Sequence, residues 1–307
     1  MTDKTVDQMD REAAGRLMKM ATYAAVGMAS MLIIIKFVAW LMTDSVSLLS
    51  TLIDSLLDVA ASTVNLLAVR HALEPADKEH RFGHGKAESL AGLAQSAFIS
   101  GSAVFLLLQA GERLYNPMEI TNTNIGYAVM VFSIVATIAL VLFQKYVAKR
   151  TQSLAISADS AHYTMDVLVN IAVIVSLFLA TELGWSFADP LFAIAIAFYI
   201  LHGAYEIGVE AYHVLMDREL PDEDRTKIRE LAVQHPRVTG MHDLRTRQSG
   251  PDVFIQMHLE MPGDITLLDA HSIAEDVMRK VQKAYPRAEV LVHEDPHGIE
   301  EERLFED

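Results

Sequence analysis

From about residue 20 to residue 216, six long apolar windows follow one another, at 20–43, 45–69, 89–111, 120–143, 160–181 and 190–216. An apolar helix needs ~20 residues to cross the ~30 Å hydrocarbon core of a bilayer, so each window is long enough to span. The windows at 89–111 and 120–143 hold no charged residue. Buried helices of a large soluble domain would still show a polar face to water, and the absence of one across six windows argues against that architecture.

After Asp217 the pattern changes to short polar and apolar alternations. Pro221-Asp222-Glu223 predicts a helix start, with an amphipathic run to about Gln234. Alternating stretches at 238–247 and 252–261 predict two strands joined through Gly250-Pro251. A second helix fits 266–284 and a final strand fits 288–293. The order α-β-β-α-β predicts a small two-layer α+β domain of ~85 residues, enough for its own core. The expected division is an N-terminal segment over 1–19, a six-helix transmembrane domain over 20–216 and a polar domain over 217–307.

Composition and charge add direction to this outline. The 307 residues are 51% hydrophobic yet carry a formal net charge of −15. Residues 1–216 contribute −6 of it and residues 217–307 contribute −9. That acidic balance lacks the basic footprint that phosphate binding needs, so no nucleic-acid partner is expected. The absence of cysteine excludes a disulfide framework, a thiolate metal site and a thiol nucleophile. The N-terminus is polar and mixed in charge, and the first window is too long for a signal-peptide core, so no cleavable signal is expected. The N-terminus and the loops at 70–88 and 144–159 hold 11 Lys/Arg, against Arg113 alone in the opposite connections. The positive-inside rule then puts both termini and the acidic domain in the cytoplasm.

Ionisable groups within apolar spans are expensive and point to function. Asp54 and Asp58 stand four apart in the second window, and His162 and Asp166 stand four apart in the fifth. Each pair therefore shares one helix face. Counting ~1.5 Å of rise per residue from the cytoplasmic ends brings both pairs to a similar depth, so they could form one four-ligand site. Three carboxylates and an imidazole suit Zn²⁺, and other divalent first-row metals would fit the same set. Lys36, in the first window, reads as a snorkelling lysine or an ion-pair partner. Asp159 reads as a solvated charge at the membrane edge, and His202, Glu206 and Glu210 are given no ligand role.

Two further clusters lie outside the spans. Asp77, His80 and His84 place three potential ligands within eight residues of one loop, a pattern that an ordinary polar loop can also show. His242, His258, His271, His293 and Asp295 spread five potential ligands over four elements of the C-terminal domain. His235 and His297 are read as peripheral surface residues.

Four stretches carry a resemblance: Leu56-Leu57-Asp58 with Asp54, the block RFGHGKAE from Arg81 to Glu88, DSAHYTMD from Asp159 to Asp166, and HDLRTRQSG from His242 to Gly250. Together they are similar to the cation diffusion facilitator family over nearly the whole chain from about residue 16. The resemblance implies six transmembrane helices, a cytoplasmic ferredoxin-like domain and a homodimer. It implies a transport site of Asp54, Asp58, His162 and Asp166, of the type of the zinc/cadmium/iron branch. It also implies a loop site of Asp77, His80 and His84. A cytoplasmic binuclear site would comprise His242, His258, His271, His293 and a bridging Asp295. Lys86 and Asp217 match positions of a charge interlock near the dimer contact. Glu294 departs from the pattern, standing where relatives tend to have Gln.

No phosphate-binding glycine loop of the Walker type is present, so an ion gradient is the expected energy source. Metal and protons compete for the same imidazole and carboxylates, which supplies the coupling. The expectation is a metal/proton antiporter rather than an enzyme, in the inner membrane, moving Zn²⁺ and also Cd²⁺ and Fe²⁺ by alternating access. A membrane-anchored metal sensor is the alternative, but it has no need of ligands at mid-bilayer. A passive channel would want weaker or multiple sites than a closed four-ligand one.

Overall fold

The computed structural model describes residues 11–43, 46–115, 124–183 and 188–299. The chain divides into two compact units, one of them Ala14–Tyr212 and the other taking up the chain from His213. Parts of the N-terminal segment and the connections at 44–45, 116–123 and 184–187 lie outside the described residues.

Among the described residues the first unit holds six long helices: α1 (Arg11–Thr43), α2 (Val46–Ala72), α3 (Lys86–Tyr115), α4 (Asn124–Thr151), α5 (Leu154–Leu183) and α6 (Ala188–Leu215). Each apolar window falls on one of them. The stretches Glu12–Met42, Lys86–Glu112, Ala128–Thr151 and Pro190–Leu215 are long and apolar enough to cross a membrane. The other two helices, α2 and α5, carry the paired acidic and imidazole side chains.

The usual inside–outside rule for a water-soluble core is inverted here. Leu57, Leu108, Val135, Leu142 and Phe198 are exposed, while small residues fill the helix contacts. On α1 the buried positions Ala14, Met18, Ala21, Ala25, Ala29 and Leu32 recur at helical spacing and form a mostly alanine stripe. Small side chains let helices approach closely where no hydrophobic effect drives them together. A Cβ on Gly92 of α3 would stand 3.1 Å from the Leu154 side chain of α5, and one on Gly208 of α6 would stand 2.9 Å from Ser96 Oγ of α3. Both glycines mark places where two helices nearly touch.

The α4–α5 connection is only Gln152 and Ser153, with Gln152 in the left-handed region at φ 56°. Ser153 caps α5 by accepting from the Ile156 N–H at 3.2 Å. The expected loop over 144–159 is therefore mostly helix, and this changes the fate of Asp159, as described below.

The second unit runs α7 (Asp222–Val233), β1 (Gly240–Ser249), β2 (Asp252–Met261), α8 (Leu267–Ala284) and β3 (Ala288–Pro296). The sheet order is β1-β2-β3, with β1–β2 antiparallel and β2–β3 parallel. The hairpin turns at Gly250-Pro251, where Gly250 takes φ 57°. Ile255, Met257 and Leu259 of β2 pack with Ile273, Val277 and Val281 of α8 and Ile228 of α7. The helices thus cover one face of the sheet, and the other face carries His258.

The register brings the histidines together. His242 lies opposite His258, and His258 lies beside His293. Between His242 and Arg245 the pairing slips by one residue, and Asp243 takes φ 49°. This bulge reverses the facing of the strand: Leu244 enters the core while His242, two residues earlier, joins the opposite face.

Candidate metal centres

Between α2 and α5, His162 Nε2 lies 3.1 Å from Asp58 Oδ1 and 3.9 Å from Asp166 Oδ2. One ligand atom from each of the three lies within 4.8 Å of the others. His162 is 2% exposed, and its Nδ1 has no hydrogen-bond partner. Phe98 of α3 meets the imidazole edge-on at 5.7 Å between centroids. The next residue, Tyr163, shares a hydroxyl–hydroxyl hydrogen bond of 2.7 Å with Ser62 of α2, which fixes the approach of the two helices. Two carboxylates converging on one imidazole among apolar helices suit a cation or protons, not an empty hydrocarbon setting.

Asp54 occupies the preceding turn of α2, is exposed and stands outside this triad. Lys36 of α1 is partly buried and donates to Ser55 Oγ at 2.6 Å. Asp159 is not a solvated charge: it is 1% exposed and accepts from Gln144 Nε2 of α4 at 2.6 Å. Because α4 and α5 join through two residues, Asp159 falls on the second turn of α5, packed within the helical unit. The polar Gln144 at the end of an apolar window was the one signal for it in the sequence. His202 and Glu206 form an exposed pair at 3.5 Å on α6.

In the loop after α2, the Asp77 carboxylate accepts from the backbone N–H groups of His80 at 2.6 Å and Glu79 at 2.9 Å. The His80 N–H above all holds this carboxyl below its ordinary value. His84 Nε2 stands 3.5 Å from Asp77 Oδ2 and 3.2 Å from His80 Nδ1. The three expected loop residues are therefore together, with Gly83 making the turn at φ 78°. His71 and Glu74, which the sequence did not single out, also come against His84.

On the open face of the C-terminal sheet, Asp295 is the centre. Its Oδ2 lies 2.8 Å from His258 Nδ1 and 3.4 Å from His242 Nε2, and its Oδ1 lies 3.1 Å from His293 Nε2. The carboxylate is 6% exposed, and its two oxygens face different histidines. A second carboxylate orients the set: Glu260 Oε1 lies 3.1 Å from His242 Nδ1 and Oε2 lies 2.9 Å from His297 Nδ1. The His297 contact, and then that of His242, holds the Glu260 carboxyl below its ordinary range. An outer carboxylate on the far ring nitrogen is the usual support of a metal-binding imidazole. Glu260 was not anticipated; its place two residues after His258 on an alternating strand was the available signal. His271 is exposed on α8 and is not among the gathered donor atoms. Asp217 pairs with Arg247 at 3.3 Å, while Lys86 opens α3.

Residues 22–216 match the cation efflux transmembrane domain and residues 220–297 match the cation efflux protein cytoplasmic domain. The chain belongs to the cation efflux family. It is a multi-pass membrane transporter with a transmembrane helical domain and a cytoplasmic domain built on a small sheet. The cation-efflux pump FieF of Citrobacter koseri is 50% identical over 285 residues, covering 93% of this chain and 95% of that protein. FieF of Escherichia coli O9:H4 is 49% identical over 288 residues, covering 94% and 96%. A solved structure of CzrB in its zinc form is 31% identical, covers 28% of this chain and 99% of that one, and has a TM-score of 0.26.

Proposed function

We propose that this cation efflux transporter exports Zn²⁺, and also Cd²⁺ and Fe²⁺, across the inner membrane in exchange for protons. The observation that carries this is the buried Asp58–His162–Asp166 triad between α2 and α5. One imidazole with carboxylates suits zinc and its neighbours, and Asp54 adds a fourth oxygen donor from the turn before Asp58. Each ligand must be deprotonated to hold the metal. Protons arriving from outside therefore displace the cation, and loss of those protons to the cytoplasm restores the site. Alternating access of the one site to the two sides turns this competition into exchange.

In the cytoplasmic domain His242, His258, His293 and Asp295 would hold two resident metal ions with Asp295 shared between them; His271, exposed on α8 and apart from the gathered atoms, stays a candidate fifth ligand. The division of the Asp295 oxygens between His242/His258 and His293 supports this, as does the Glu260 contact behind His242. These ions would bind strands β1, β2 and β3 together and stabilise the folded domain. The transporter works as a homodimer joined through this domain. Both termini and the loop site of Asp77, His80 and His84 face the cytoplasm.

Purified protein in lipid vesicles tests the proposal. Zinc should accumulate against its gradient when a pH difference is imposed, and should not do so without one. Zinc that only runs downhill regardless of pH would indicate a passive pore. Vesicles that bind zinc but never move it would indicate a sensor.

A further inference from the structure

Beside the expected loop site stands a second set of donors. His71 lies in the last turn of α2, and Glu74 follows three residues later. The His71 Nδ1 and Glu74 Oε2 atoms are 2.8 Å apart, and the rings of His71 and His84 are 4.5 Å apart between centroids. One ligand atom from each of His71, Glu74 and His84 lies within 4.8 Å of the others.

His84 belongs to both sets. Its Nε2 faces His80 and Asp77, at 3.2 Å and 3.5 Å. Its Nδ1 is buried without a hydrogen-bond partner, in a side chain that is 6% exposed. An exposed His–Glu pair at i,i+3 is an ordinary helix-end contact of little weight. It leaves that orphaned nitrogen unexplained, and buried polar atoms in folded proteins are normally satisfied.

We propose that His71, Glu74 and His84 form a second divalent-metal site beside Asp77, His80 and His84, sharing the His84 ring between two ions. Nε2 serves the ion on the Asp77–His80 side and Nδ1 serves the ion on the His71–Glu74 side. Two imidazoles and one carboxylate, with water in the open position, form a zinc-type donor set. His71 and Glu74 are half-exposed, so water and metal can reach them. When both ring nitrogens bind metal, the N–H proton of His84 leaves to solvent. The second ion ties the last turn of α2, the helix of Asp58, to the loop that leads into α3.

The proposal uses the assignment of Asp77, His80 and His84 as a loop site for its shared ring, and the test separates the two. Full-length protein in detergent is saturated with zinc and desalted, and zinc per chain is measured by elemental analysis. His71→Ala and Glu74→Gln should each lose about one ion relative to wild type, Asp77→Asn should lose about one, and His71→Ala/Asp77→Asn should lose about two. Both His71 and Glu74 are exposed, so these variants keep the fold. Wild-type zinc content in His71→Ala and Glu74→Gln, with a loss in Asp77→Asn, overturns the second site and leaves the loop site standing. A loss in His71→Ala with none in Asp77→Asn overturns the loop assignment and the shared ring with it. A double variant that loses only one ion overturns the sharing, because the two sets would then be taking turns on one ion.

Discussion

Replacing Glu260 with Gln should weaken zinc binding at His242, His258 and Asp295 by about ten- to a hundred-fold, the usual effect of losing the support behind a ligating imidazole. Glu260 Oε1 sits 3.1 Å from His242 Nδ1, while His242 Nε2 points toward Asp295 at 3.4 Å. The carboxylate keeps the proton on Nδ1 and frees Nε2 for metal. Glutamine keeps the shape and the acceptor but drops the charge, so Glu260→Gln belongs near the lower end and Glu260→Ala near the upper. Each tenfold is ~1.4 kcal/mol, which gives roughly 1.4–2.8 kcal/mol. At a fixed excess of zinc and a fixed protein concentration, the stabilisation that zinc confers shrinks by that same amount. In a domain of this size ~1 kcal/mol moves Tm by about 4–8 °C, so the zinc-dependent Tm shift should shrink by roughly 6–22 °C.

The assay uses the isolated 217–307 domain, whose core of α7, α8 and the sheet is its own. Chelator competition gives the affinity, and thermal unfolding with and without zinc gives the shift. The metal-free melting of each variant is subtracted, since Glu260 also meets His297. Zinc affinity at the wild-type level in both variants would refute the role given to Glu260. So would a loss confined to the metal-free protein.

Other outcomes follow from the same geometry. Asp58→Ala or His162→Ala should abolish zinc transport in vesicles while the purified dimer still forms, and wild-type rates in either would remove the triad from the transport path. Asp295→Ala should lower zinc per chain in the isolated cytoplasmic domain and its zinc-dependent Tm, because this carboxylate meets all three gathered histidines; unchanged zinc by elemental analysis counts against two resident ions. Gly240→Ala would bring a Cβ to 2.9 Å from Glu260 Oε2, so it should act as a milder Glu260→Gln in the same chelator titration. The Asp269 carboxyl is held below its ordinary value of 3.8, first by the Thr266 hydroxyl that caps α8 and also by Arg237. A carboxyl lowered by folding stabilises the fold above its unfolded value and loses that contribution as pH falls through its folded one. The urea midpoints of wild type and Asp269→Asn should therefore differ at pH 6, draw together as pH falls below ~3.8 and meet once it is under the lowered folded value; a gap that stays constant through that range would remove Asp269 from the cap.

Periodicity carries most of the fold. Each apolar window became one long helix, and α7, β1, β2, α8 and β3 fall within a few residues of where alternation and Pro221 predict them. What periodicity cannot carry is the facing of a residue where the period breaks. Strict alternation would put His242 and Leu244 on one side of β1, yet the bulge at Asp243 sends them to opposite sides and so assembles the histidine row. Helix spacing has a similar limit. Asp54 and Asp58 share a face by count, but Asp58 meets His162 while Asp54 one turn away stays exposed. His271 is a donor by residue type, but it stands exposed on α8, apart from the gathered atoms. Glu260 lies on an alternating strand and Glu74 in a polar loop, and the pairing of strands and the turn of the loop give them their histidine neighbours.

The positions of the donor side chains on α2 and α5 rest on a few polar contacts rather than on the apolar mass around them. Helices in lipid gain nothing from hiding hydrocarbon against hydrocarbon, so close packing and interhelical hydrogen bonds must set their heights and rotations. Glu88, in the first turn of α3, accepts from the Ser153 hydroxyl and from the Ala155 N–H at the start of α5. A carboxylate there complements the free N–H groups and the positive end of that helix. The contact fixes where α5 begins relative to α3, and His162 and Asp166 follow at set heights along the rigid helix. Ser62 and Tyr163 then lock α2 to α5 one residue beyond His162, which brings Asp58 opposite the imidazole. Asp159, held by Gln144, fastens α5 to α4 one turn before His162. Each of these side chains could be replaced by an apolar one of similar size and the helix would only become more apolar. The window would still read as a span, but nothing would then specify that the donors of α2 and α5 meet.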